Sequence, residues 1–352
     1  MRILVTGGAG FVGAHLALAF KSHYPNATVV ALDNLKRRGS ELNLPRLRAG
    51  DVQFVHGDIR NLSDLEAVGA VDLIVECSAE PSVHAGYNES PAYLVQTNLI
   101  GTVNALEIAR KHKATFMFLS TSRVYPIADI RHLPFQLADQ RLDIPANESG
   151  LGWSREGISE RYPLDGIRSL YGATKLASEL LIEEYAEMYG FKAIINRCGV
   201  LTGPWQMGKV DQGFVVLWAA RHFWSGKLSY MGFGGQGHQV RDMLHVQDLF
   251  ELLIRQLEQG TQQLVYNVGG GLNGSLSLCQ ASAICAELAG SPLEIGSVPE
   301  TRPADIPWFI TDSRVASDEF SWQPRRGPQL IFEEIFEWLS ANGDSLKPIL
   351  HG

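Results

Sequence analysis

The opening stretch, MRILVTGGAGFVG, limits what this chain can fold into more than any other. An apolar run, RILVT, passes directly into Gly7, Gly10 and Gly13 in a G-x-x-G-x-x-G arrangement, and FVGAHLALAFKSH then takes on helical periodicity. Strand, tight glycine turn and helix together open a doubly wound α/β unit. Glycine lets the backbone turn sharply and approach a pyrophosphate, whose charge meets the exposed N–H groups of the helix start. The alternation continues. TVVALD, VQFVHGD, VDLIVECSA and ATFMFLSTS read as strands, while the segments around LSDLEAVG and within AYLVQTNLIGTVNALEIARKH read as helices.

This pattern predicts an α/β fold, a Rossmann-type doubly wound parallel sheet over residues 1–196, with an insertion over about 126–168 that forms a surface excursion or lid. The helix containing SLYGATKLASE and the strand FKAIINR resume the alternation after the insertion. Beyond Arg197 the order is less regular. Strands near LSYMG and LVYNVG and helices near VQDLFELLIRQLEQ, SLCQASAICAELAG and QLIFEEIFEWLSA predict a smaller α/β substrate lobe over 197–352, with some segments returning to the first domain.

Composition narrows the partners. A chain of 352 residues, 45% hydrophobic, can bury a large core, and a net charge of −8 with no long Lys or Arg run argues against nucleic acid or an anionic membrane. No run of ~18 apolar residues occurs and no cleavable leader comes after the first Met, so a cytoplasmic location is expected. Cys77, Cys198, Cys279 and Cys285 are too far apart for a zinc knuckle and too few for a disulfide scaffold, so reduced thiols and no metal are expected.

The glycine loop points to a dinucleotide because of the residue that closes the second strand. Asp33 ends TVVALD about 20 residues on, where a carboxylate accepts hydrogen bonds from ribose hydroxyls and repels a 2′-phosphate, favouring NAD over NADP. Arg37 and Arg38 stand nearby and suit either a phosphate or a solvated loop. Asp58 in VHGDIR is placed for an adenine edge or for a turn, and Ser78, Ala79 and Glu80 occupy the turn after the fourth strand. Tyr171 and Lys175, four apart, lie on one helical face, a spacing that by itself suits an ordinary amphipathic helix equally well.

Taken in order, TGGAGFVG, Asp33, HGDIR, LSTSRVY and YGATK resemble the extended short-chain dehydrogenase/reductase family of nucleotide-sugar epimerases and dehydratases. That resemblance spans essentially the whole chain. It implies that Tyr171 is the acid/base on a sugar hydroxyl, that Lys175 binds the nicotinamide ribose and lowers the Tyr171 pKa, and that Thr121 shares the substrate oxygen. A phenol of pKa ~10 is a poor base at neutral pH, and a nearby ammonium stabilises phenolate. The implied NAD contacts are Gly7, Gly10, Phe11, Val12, Gly13, Asp33, Asn34, Arg37, Asp58, Ile59, Ser78, Ala79, Glu80 and Asn98, besides Tyr171 and Lys175.

GPWQMGKVDQGFV, GQGHQVRDMLHVQDL, NVGGG and the late Arg302, Asp305, Asp312, Trp322 and Pro324 pattern look like the CDP-paratose/CDP-tyvelose 2-epimerase group. By that likeness a nucleotide-diphosphate sugar meets Ser122, Arg123, Gln206, Asp211, Gln212, Gly213, Phe214, Arg241 and Arg302. Arg241 and Arg302 would neutralise the diphosphate, their bland alternative being surface ion pairs. The implied activity is NAD-dependent 2-epimerisation of a CDP-linked hexose or deoxyhexose through a keto sugar. A 4-epimerase, reductase or decarboxylase remains open, as does a non-catalytic NAD(P) sensor. A homo-oligomer, a dimer or a dimer of dimers, is implied too, with the Tyr171 helix and the helix after Asn98 at its interface. Three positions depart from the wider family: Pro126 replaces Gly, Glu76 replaces His and Val200 replaces Asn. Cys198 beside them reads as a buried small residue more readily than as a reactive thiol.

Overall fold

In the computed structural model, which describes residues 1–209 and 212–351, RILVT becomes β1 (Arg2–Thr6), with Ile3, Leu4 and Val5 entirely buried. A strand this apolar on both faces needs helices on both faces, and that requirement sets the architecture. Four more strands come in turn: β2 (Thr28–Asp33), β3 (Gln53–His56), β4 (Leu73–Glu76) and β5 (Thr115–Thr121). Every pairing among these five is parallel. The seven-stranded sheet runs Val265–Val268, Ala193–Cys198, β5, β4, β1, β2, β3. LVYNVG thus joins the large sheet as an edge strand.

The order reverses at β1, whose neighbours β2 and β4 carry the chain away in opposite directions. In such sheets the ligand crevice opens at the carboxyl ends of the strands flanking the reversal. Leu4, Val30, Ile74, Phe116 and Ile195 pack on Leu106, Ala109 and Ile182 from the covering helices. The sheet belongs to a compact unit made of residues Met1–Val124, Ser169–Arg197 and Leu253–Tyr266.

The second unit comprises Tyr125–Arg168, Cys198–Leu252 and Asn267–Gly352, of which residues 210, 211 and 352 lie outside the description. Its small sheet joins Val200–Thr202, Val240–His245 and Ser275–Ser277, with Trp308–Phe309 paired to Val240 and Arg241. The helices Phe214–Phe223, Leu278–Ala289 and Pro328–Ala341 pack together beside it. Residues 126–168 are tied into this unit: Arg131 donates to the carbonyls of Arg302, Pro303 and Asp305, and the Ile158 N–H donates to Ile310 O at 2.8 Å. The four cysteines are unbridged, Cys198 being buried. No described helix is long and apolar enough to cross a membrane, and no group of residues able to hold a metal occurs among those described.

Candidate active site

The glycine loop has no room for side chains where the sequence has none. Gly7 adopts φ +61°, and a Cβ on it would lie 2.9 Å from the Cys77 carbonyl, the turn that leads to Ser78. A Cβ on Gly13 would sit 2.1 Å from Gly7 O, inside any contact distance, so the helix Phe11–His23 can start this close to β1 only with glycine there. Asp33 ends β2 beside that loop. Its Oδ2 accepts the Ala9 N–H at 3.1 Å and its Oδ1 the Leu35 N–H at 2.7 Å. Burial raises its pKa above the ordinary carboxylate value, opposed by the N–H donors of Leu35, Ala9 and Gly10. Gly7, Gly10, Phe11, Val12, Gly13 and Asp33 are therefore brought together around one helix start.

The neighbouring positions are partly engaged with one another. Asp58 accepts from both Arg60 Nε (2.9 Å) and Arg60 Nη2 (2.6 Å), and from Asn34 Nδ2 (2.9 Å), which hold its carboxyl well below the usual range. Ile59, next to it, is buried. Burial lowers the Arg37 pKa, an effect that the Glu80 charge opposes. Asn98 reaches the turn of Ser78, Ala79 and Glu80 with both ends of its amide: Oδ1 accepts the Glu80 N–H at 2.7 Å and Nδ2 donates to Glu80 O at 3.1 Å. It sits in a single π-helical turn, Gln96–Ile100, between the helices Ala92–Val95 and Gly101–His112. The extra residue of such a turn shifts the helix face, and these turns often occur at functional sites.

Tyr171 and Lys175 lie near the start of the helix Leu170–Tyr189, which Ser169 caps by accepting the Gly172 N–H. Tyr171 is half-buried and Lys175 is 2% exposed. The Lys175 ammonium donates to Leu119 O at 2.9 Å and lies 4.2 Å from the centroid of Phe118. Both partners belong to β5, whose last residue is Thr121, so the Lys175 head is anchored on the strand that carries Thr121. Thr121 is buried, and its Oγ1 accepts the Arg123 N–H at 3.2 Å; Ser122 and Arg123 form the turn after β5.

Two buried carboxylates of this unit were not among the residues expected at the site. One turn beyond Lys175, Glu179 is buried against Arg197, with Nε to Oε2 at 3.0 Å and Nη2 to Oε2 at 2.7 Å, and it also accepts from the Ser120 hydroxyl. The second is Glu76 at the end of β4, entirely buried, with Oε1 2.7 Å from Thr102 Oγ1. Its only sequence signal was the departure from His.

Of the residues expected to meet substrate, Gln206, Gln212, Gly213 and Phe214 come together in the second unit. Gln206 donates from Nε2 to Leu201 O at 2.9 Å and accepts from Thr202 Oγ1 at 3.0 Å. Gly213, at φ +75°, precedes the helix that Phe214 begins, and a Cβ there would lie 3.2 Å from Gln206 Cδ. Asp211 lies outside the described residues. Arg241 donates to the carbonyls of Val240 and Ile306, both at 2.7 Å, and Arg302 pairs with Asp305 through Nε at 3.0 Å. The segment 302–309 thus carries Arg302 and also holds the Arg241 guanidinium, through Ile306 O.

Residues 3–269 match the NAD dependent epimerase/dehydratase family. The chain is similar to the CDP-paratose 2-epimerase of Salmonella typhi, 26% identical over 358 residues that cover 97% of this chain and 100% of that protein. Among solved structures it resembles the dTDP-glucose 4,6-dehydratase of Bacillus anthracis in complex with NAD, with a TM-score of 0.77, 26% identity and 99% of both chains covered. It also resembles the UDP-glucose 4-epimerase of Thermotoga maritima with UDP-glucose, with a TM-score of 0.77, 25% identity, and 97% and 99% covered.

Proposed function

The chain belongs to the NAD dependent epimerase/dehydratase family, and from its likeness to the CDP-paratose 2-epimerase of Salmonella typhi we infer that it is an NAD-dependent nucleotide-sugar epimerase acting at C2 of a CDP-linked hexose or deoxyhexose. The dinucleotide fits the residues present. The Gly7–Gly13 cradle excludes any Cβ at its closest approach, and Asp33 offers a carboxylate at the end of β2. Gly7, Gly10 to Gly13, Asp33, Asn34 and the turn Ser78 to Glu80 would hold it, with Lys175 at the nicotinamide ribose. When bound, NAD supplies reversible two-electron oxidation of a carbinol carbon.

The chain's own residues handle the proton. Tyr171 takes it from the sugar hydroxyl as a phenolate, which the Lys175 charge favours. Thr121 donates a hydrogen bond to the same sugar oxygen and fixes its position. Reversal of the proton transfer returns the hydroxyl after the keto sugar has turned, so there is no net redox change.

One observation favours epimerisation over dehydration. Loss of a hydroxyl needs an acid to protonate the leaving oxygen, and the residues after Thr121 are a hydroxyl and a guanidinium, Ser122 and Arg123. The test is a screen of CDP-, GDP- and UDP-hexoses with NAD, the products read by NMR. Inversion at C2 of a CDP-sugar supports the proposal. A 4-keto-6-deoxy product would replace it with a dehydratase, and inversion at C4 of a UDP-sugar with a 4-epimerase.

A further inference from the structure

Glu76 is buried without a counter-ion hydrogen bond, on the strand next to the one that anchors Lys175. In the register of the parallel sheet, Glu76 stands beside Thr6 of β1 and Phe118 of β5, so the three side chains share one face. Lys175 lies over Phe118 on that face, and its charge acts on Glu76. Thr102 hydrogen-bonds the carboxyl, Thr6 and Phe118 flank Glu76 in the sheet, and the Lys175 charge acts on it. Of these Lys175 carries charge, and the charges a turn further along, Glu179 and Arg197, are paired with each other.

The hydrogen bonds favour a proton on Glu76. Thr102 Oγ1 lies 2.7 Å from Glu76 Oε1 and 2.9 Å from Asn98 O, two acceptors for one hydroxyl proton if the carboxyl is ionised. With the carboxyl protonated, Glu76 donates to Thr102 and Thr102 donates to Asn98 O, and the chain is satisfied end to end. Glu76 Oε2 is buried with no hydrogen-bond partner, which a neutral carbonyl oxygen tolerates better than a carboxylate. Burial pushes the Glu76 pKa up to about 7, against the opposing effects of Lys175 and Thr102.

We propose that Glu76 is a positioning residue that acts through Lys175: while protonated it leaves the full ammonium charge acting on Tyr171, and when ionised it cancels part of that charge and makes Tyr171 a poorer acid/base. The inference rests on the reading of Tyr171 and Lys175 as the acid/base pair. It predicts a pH-sensitive site at neutrality, set by a carboxyl that touches neither sugar nor dinucleotide.

The test is an ultraviolet tyrosinate titration of the NAD-loaded protein, wild type and Glu76→Gln, each read against the same background carrying Tyr171→Phe so that Tyr171 alone remains. Glu76→Gln keeps the protonated shape and cannot ionise. Tyr171 should therefore titrate lower in it, by on the order of one pH unit. An equal Tyr171 midpoint in both backgrounds overturns the role of Glu76. Full turnover by Tyr171→Phe overturns instead the reading of Tyr171, so the two failures are told apart.

Should Glu76→Gln fail to fold, infrared spectra of the wild-type protein carry the test. A protonated-carboxyl carbonyl band should fade between about pH 5 and about pH 9 and shift in Thr102→Val. Absence of that band at about pH 5 overturns the proposal.

Discussion

Consider Arg197→Met, which keeps the length of the side chain and removes its guanidinium. The side chains of Glu179 and Arg197 are 4% and 7% exposed, so the substitution leaves a carboxylate buried with the Ser120 hydroxyl as its remaining partner. Breaking a buried pair from one side costs about 3–5 kcal/mol, and the surviving hydrogen bond argues for the lower end, ~3 kcal/mol. The assay must see the right unit. All seven tryptophans lie in the second unit, so their fluorescence does not report on Glu179. Hydrogen exchange detected by mass spectrometry does, read on peptides from β5 and from the helix Leu170–Tyr189. A loss of ~3 kcal/mol should speed the slowest amides there roughly hundredfold. The double variant Glu179→Leu with Arg197→Met should recover most of that loss, since it strands no charge. Acceleration of less than about fivefold in Arg197→Met would refute the view that this pair is held out of water.

Three further outcomes are expected. Tyr171→Phe should retain NAD but lose nearly all turnover of whichever nucleotide-sugar the screen identifies; near-normal rates would remove the phenol from the chemistry. Asp33→Ala should weaken NAD much more than NADP in a binding titration, and an unchanged preference would move the discrimination elsewhere. In the second unit, burial and the nearby Arg326 push the His245 pKa down to about 4, against the Asp248 charge and the Glu334 carboxylate that lies 3.0 Å from its Nε2. Because the folded pKa lies below the unfolded one, His245 contributes stability above about pH 6.5 that is lost as pH falls toward 4. Tryptophan fluorescence during urea unfolding should show this acid weakening, and His245→Asn should flatten it. An equally steep acid dependence in that variant would assign the effect to other groups.

What could be read from the sequence was local. Gly13 is glycine because the backbone of Gly7, six residues earlier, passes within contact distance, whereas the Cys77 backbone that crowds Gly7 lies far along the chain; β1 to β5 announce themselves as short apolar runs between turn residues. Tyr171 and Lys175 are four apart on one helix, so their spacing survives in the sequence. The Glu76 site has no such trace: Thr102 is 26 residues away and Lys175 is on another helix. Glu179 likewise meets Ser120 across 59 residues. The π-helical turn at Asn98 adds one residue to a long helical pattern, too small a phase slip for periodicity to register. LVYNVG reads as a strand from its apolar residues, but its place at the edge of the large sheet depends on a pairing with Ala193–Cys198 that neither segment encodes alone.

That edge strand has a consequence for how the chain is made. Once the ribosome has released Ala193–Cys198, one side of it can pair with β5 immediately, while the other waits for Val265–Val268. The delay is about 70 residues of synthesis, roughly 4–14 s at ordinary elongation rates. Throughout it a nearly complete sheet presents a row of unpaired N–H and C=O groups, which another nascent chain can pair with. The first unit therefore finishes folding only after about half of the second has been synthesised, and the longer that open edge stays solitary, the longer it is exposed to such pairing.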